Sequence, residues 1–157
     1  MLRISIVPLF LIILVTGLQN SAQEVDEFWT EVSRTVSEGD FKDYSATFHE
    51  EAILVNGISG TSYPIADALA GWKKGFDDTK TGKMTASVEF KFTERFHSES
   101  TAFDTGIFKY SSQTKGGGEE TVYIHFQGLL TKTSGEWKLM MENQISVAAE
   151  KEWNEIE

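Results

Sequence analysis

The sequence predicts an α+β fold in which N-terminal helices pack on a curved, mixed or mainly antiparallel β-sheet. Two periodicities and their order predict it. Apolar residues recur at three- and four-residue spacing in the first half of the chain, and at every second residue after Met84. Helical patterns first and strand patterns later are the α+β arrangement.

The first domain helix is predicted from Val25 to Glu38, with Val25, Phe28, Trp29, Val32 and Val36 forming one apolar stripe. Gly39 ends it, because glycine accepts the left-handed conformation that closes a helix. A shorter second helix follows, with Phe41, Tyr44, Ser45 and Phe48 on one side. Ala52 to Asn56 reads as a strand and Gly57 to Gly60 as its turn. Pro64 suits the first turn of a third helix behind the caps Thr61 and Ser62. Ile65, Ala68, Leu69, Trp72 and Phe76 supply that helix's buried stripe.

Strands take over from there. Val88, Phe90, Phe92 and Phe96 alternate with Glu89, Lys91, Thr93 and Arg95. His97 to Ser100 forms a turn into a strand from Thr101 to Tyr110. Gly116 to Gly118 lies in the next connection, Thr121 to Thr131 is another strand, and Thr133 to Gly135 turns into a last one, Glu136 to Val147. The acidic end, 149–157, is expected to be a frayed helix or tail.

Residues 1–22 stand apart from this pattern. Met1-Leu2-Arg3 gives a positive start, Ile4 to Leu18 is almost unbroken apolar residue, and Gln19 to Ala22 is a polar, small-residue exit. This is the pattern of a secretory signal peptide cleaved near Ala22, with an uncleaved anchor as the alternative. The expected product is an exported protein, periplasmic or secreted, with one domain over 23–148. The chain has no cysteine, which excludes a disulfide framework and a thiol nucleophile. Eleven Phe, four Trp and four Tyr can fill a core without one. A formal charge of -10 opposes binding to nucleic acid or to an anionic membrane surface.

Two stretches carry a resemblance. One is Gly39-Asp40-Phe41, Tyr44, Phe48-His49-Glu50-Glu51-Ala52 and Ile53-Leu54-Val55-Asn56. The other is Gly135-Glu136-Trp137-Lys138-Leu139-Met140-Met141 with Asn143 and Ser146. Together they resemble the NTF2-like superfamily, in its SnoaL-like and DUF4440-type branches. The resemblance implies a cone with a single pocket, and a homodimer formed through the sheet.

It also offers a catalytic pattern to test. Ketosteroid isomerases of this superfamily use a carboxylate base, a tyrosine and a protonated carboxylic acid. Their positions fall here on Asn56, Val32 and about Gln127. An amide cannot take a proton at neutral pH and valine donates nothing, so that chemistry is not expected. DUF4440-like chains often carry histidine where Asn143 stands.

Other groups remain. His49, His97 and His125 show no metal-ligand spacing, and neither a metal nor another cofactor is expected. Lys115-Gly116-Gly117-Gly118 lacks the continuation of a phosphate loop. His125, with Tyr44 or Tyr123, is a candidate acid or base, unless it faces away from the row Val122, Ile124, Phe126 and Leu130. Glu94 shares parity with Phe90, Phe92 and Phe96, so an unbroken strand aims it at the apolar side, whereas a bulge releases it to water. Asp104 poses the same question and is expected to reach water likewise.

Trp29, Tyr44, Phe48, Trp72 and Phe108 are the expected cavity walls, with Asn56, Tyr123 and Asn143 as polar contacts. Trp137, Leu139, Met141, Asn143 and Ile145 are read as one face of the last strand. Three function classes follow: non-catalytic binding of a small apolar molecule; a cofactor-free lyase or isomerase using His125, Tyr44 or Glu94; and a structural module that pairs through its sheet.

Overall fold

The computed structural model describes the backbone of residues 9–157 and side chains from Asn20 onward. Helix α1 spans Leu9–Glu38 and α2 Phe41–Ala46. Strands β1 (Phe48–Asn56) and β2 (Thr61–Pro64) precede α3 (Ile65–Lys80). Four long strands follow: β3 (Met84–His97), β4 (Thr101–Thr114), β5 (Glu119–Thr133) and β6 (Glu136–Val147). The chain ends with α4, Glu150–Glu155. The expected leader, 1–22, falls in part outside the described residues, and from Leu9 its backbone runs continuously into α1. Among the described residues no helix is long and apolar enough to cross a membrane.

The six strands form one sheet in the order β2-β1-β6-β5-β4-β3. Every pairing is antiparallel except β1 with β6, which is parallel, so the sheet is mixed. The apolar stripe of α1 packs on its concave face, where Val25, Phe28, Trp29, Val32 and Val36 are all buried. Gly39 adopts φ +67, and a Cβ there would stand 2.4 Å from the backbone nitrogen of Lys80. Glycine at this corner therefore serves both the turn and the close approach of α3.

Several boundaries differ from expectation. β1 begins at Phe48 instead of Ala52, so Glu50 and Glu51 are exposed residues of the strand itself. Thr61 and Ser62 pair with Asn56 and Val55 in β2, and Pro64 occupies the N-cap of α3. The acidic end is not a frayed tail. Trp153 of α4 is buried against Ile107 and Ala148 on the convex face of the sheet, with Tyr123 and Ile156 beside them. Lys91 Nζ donates to the Trp153 and Ile156 carbonyl oxygens at 3.2 and 2.6 Å, tying the helix down.

Bulges decide which residues face inward. In β3 the register shifts between Phe92 and Glu94. Gly106 lies opposite Phe92, and a Cβ there would sit 2.0 Å from the Lys91 carbonyl oxygen, so glycine lets the bulged strand close on β4. In β6 the register shifts between the Leu139 and Met141 pairings, leaving Met140 as the extra residue. A second shift falls between Gln144 and Ser146.

Candidate functional site

The concave face, α1 to α3 and the sheet enclose a cavity of about 570 Å³. α1 contributes Trp29, Val32 and Val36; α2 contributes Tyr44; α3 contributes Trp72 and Phe76. The sheet supplies Val88, Phe90, Phe108, Ile124, Phe126 and Leu139, with Phe48 from β1. The aromatic rings form a connected wall. Trp29 packs on Phe90 at 4.6 Å between centroids, Phe90 on Phe126 at 5.5 Å, and Tyr44 on Phe76 at 4.6 Å.

The expected walls Trp29, Tyr44, Phe48, Trp72 and Phe108 all line this space. The expected polar contacts do not. Asn56 turns its carbonyl oxygen to the backbone nitrogen of Ser59, 3.0 Å away, and stabilises the turn after β1. Asn143 donates to Gln127 Oε1 at 3.1 Å, a pair that is not among the lining residues. Tyr123 packs beside Trp153, 6.0 Å between ring centroids, on the convex face.

The acid–base candidates part company too. His125 alternates with the cavity residues Ile124 and Phe126, so it faces α4, where Nε2 pairs with Glu152 Oε1 at 3.1 Å. Glu94 sits just past the β3 bulge and is exposed. Of the three candidates only Tyr44 borders the cavity.

The β3 bulge has a second consequence. By reversing the alternation it exposes Phe96, at 60%, and aims Arg95 and His97 at Asp104. Asp104 does not reach water, contrary to expectation; it is 0% exposed. Its carboxylate accepts from Trp29 Nε1 at 2.7 Å, Arg95 Nε at 3.0 Å and Arg95 Nη2 at 3.1 Å, with His97 Nε2 at 2.9 Å. Burial of a charge is tolerable with this many partners. The group ties α1 to the sheet and leaves Trp29 fixed at the cavity wall.

Sequence reasoning missed Tyr110, Glu142 and Gln144, which supply most of the cavity's polar lining together with Tyr44 and Thr79. The extra residue Met140 explains the miss. Counting by twos from Trp137 and Leu139 reaches Met141 and Asn143, but the bulge shifts the parity and Glu142 and Gln144 turn inward instead. Glu142 is half-buried, and it borders the cavity. Desolvation holds its carboxyl above the ordinary carboxylate range, against the opposing hydrogen bond from Gln144 Nε2 at 2.8 Å. Burial pushes the Tyr44 phenol well up, helped by the negative charges that Glu142 and Tyr110 would carry if ionised. Among the described residues that line the cavity there is no Lys, Arg or His.

A helix-backed, six-stranded mixed sheet wrapped around a cavity is the architecture of the NTF2-like superfamily. Within it, a family model described as a SnoaL-like domain matches residues 25–150, and the chain belongs to that family. Solved structures agree on the fold. A conserved protein from Planctomyces limnophilus is similar at a TM-score of 0.68 and 12% identity, covering 80% of this chain and 94% of that one. An NTF2-like protein of unknown function from Shewanella oneidensis aligns at 0.58 and 17%, covering 78% and 96%. A putative calcium/calmodulin-dependent protein kinase II association domain from Xanthomonas campestris aligns at 0.59 and 16%, covering 82% and 89%. No curated protein matches the chain. At these identities the structural likeness speaks for the fold alone.

Proposed function

We propose that this protein holds a small, largely apolar molecule in its cone without transforming it, and that it does so after export. The observation that carries the binding reading is the cavity of about 570 Å³, walled by aromatic rings with a few polar groups among them. That is the composition of a small-molecule site, apolar for affinity with sparse polar groups for orientation. Of the three residues first considered for proton transfer, His125 and Glu94 do not border it and Tyr44 does. Support for export is the basic start, apolar run and small-residue exit of Met1 to Ala22.

Native mass spectrometry of the protein purified from its own secretory compartment tests both parts. A reproducible co-purifying mass of small-molecule size is the expected result, on a chain beginning near Gln23. A clean apo mass would remove the support for a resident ligand.

One observation favours a second reading, a cofactor-free lyase or isomerase. Glu142 is a carboxyl displaced upward in an apolar cavity, which is the kind of group general acid–base catalysis uses. A bound molecule recovered with altered mass or isotope content after incubation in heavy water would support that reading over simple binding.

A further inference from the structure

The polar groups of the cavity narrow the kind of molecule it takes, if the binding reading above holds. Among the described residues neither the Tyr44 nor the Tyr110 hydroxyl has a protein hydrogen-bond partner, and neither oxygen is sealed from open space. Both residues line the cavity. Glu142 lines it as well, with Oε1 engaged by Gln144 and Oε2 without a partner among the described residues. Tyr44 lies within electrostatic reach of both Tyr110 and Glu142, so the three belong to one region of the wall.

Their chemistry points one way. A phenol in an apolar site stays protonated and offers its O–H as a donor. Glu142, whose carboxyl is held above its ordinary range by desolvation, stands beside the two phenols. Two spare donors, with no cationic side chain among the described lining residues, suit an acceptor that carries no charge. An anionic head group would meet Glu142 with nothing to neutralise it. We propose that Tyr44 and Tyr110 select an uncharged, apolar molecule bearing a carbonyl oxygen, which accepts hydrogen bonds from their hydroxyls, while Glu142 beside them disfavours an anion.

The test uses the full-length protein and two naphthalene dyes of similar shape. One is 6-propionyl-2-dimethylaminonaphthalene, a neutral ketone whose emission shifts to the red when its carbonyl is hydrogen-bonded. The other, 2-dimethylaminonaphthalene, lacks the carbonyl. The ketone should bind roughly tenfold more tightly, the effect of one or two hydrogen bonds. Tyr44→Phe/Tyr110→Phe should bring its affinity down to that of the carbonyl-free dye and move its emission to the blue, while the carbonyl-free dye binds as before. Circular dichroism confirms that the variant is folded, and Tyr110→Phe alone serves if the double variant is not.

Equal affinity for the two dyes would overturn the proposal while leaving the apolar cavity as a binding site. So would stronger competition by decylamine than by the ketone, which would mark Glu142 as an ionised partner for a cation. Decanoate should not compete, and its binding would count against the proposal in the same way. Binding of neither dye would overturn the cavity reading itself.

Discussion

Two acidic side chains on one rung of the sheet have opposite fates. Asp104 pairs across the sheet with Gly128, and Gly128 pairs in turn with Glu142. With strands about 4.8 Å apart, the two carboxyls are set only two strand spacings from each other. Asp104 is saturated by Trp29, Arg95 and His97 and has no free space beside it. Glu142 has one amide partner and borders the cavity. Between them, Gly128 leaves room for the indole of Trp29, and a Cβ there would meet two ring carbons at 3.0 Å. The lesson is that an inward-facing carboxyl is no sign of function by itself. What separates a structural tie from an available group is how many of its lone pairs are taken and whether a ligand can reach the rest.

The largest effect should come from breaking the saturated side. Asp104→Ala leaves Arg95 without its interior partner and the Trp29 N–H without an acceptor. Urea denaturation should show a loss of about 3 kcal/mol, typical for one side of a buried ion pair. A loss below about 1 kcal/mol, the level of a surface pair, would mean that the cluster is solvated in solution. Gly128→Ala comes next. It pushes on Trp29 and should cost about 1–3 kcal/mol. Trp29 should also shift in fluorescence, and an unchanged spectrum would place the ring elsewhere.

The Glu142 side should show itself through pH. Its folded pKa is raised above the ordinary value of 4.5, so the native state keeps a proton that the unfolded chain has released. That contribution to stability is fully present below the unfolded pKa and is lost as pH rises through the folded one. Glu142→Gln cannot titrate. Melting temperatures of the two proteins, compared from about pH 4 to about pH 9, should diverge in favour of the variant as pH increases. A constant gap would show that the carboxyl titrates alike in both states.

The smallest effect tests the two faces of β5. His125→Ala removes the contact with Glu152 on the convex side. Dye binding in the cavity should be unchanged, and any loss of affinity would place the imidazole within reach of the ligand.

How much of this was readable beforehand divides along the same line. The α+β order and the stripes of α1 and α3 were readable because burial of a regular element repeats with its period. Trp29, Tyr44 and Trp72 followed from the helical stripes, whereas Phe48, read on the second helix, lines the cavity from β1. The resemblance carried in Gly39-Asp40-Phe41 and the Trp137 region is borne out by the family match over 25–150. Polar contacts fared worse. Asn56 and Asn143 were chosen by position along a regular strand, whereas the first caps a turn and the second lies past a bulge. Gly106 and Gly128 were the available signals, since glycine inside a strand marks a bulge or a close approach. Neither says which neighbouring strand carries the bulge.

The sequence by itself determined the kinds of element, their order, the aromatic stock of the core and the absence of thiol chemistry. Those properties are local or compositional, and each residue votes on them independently. Only the tertiary structure decided that Asp104 is a buried tie, that His125 looks outward, and that Glu142 looks in. Facing depends on strand parity, and one extra residue such as Met140 reverses the side chains beyond it up to the next shift. Whether that residue is accommodated as a bulge is settled by the packing of neighbouring strands, which no single stretch of chain contains.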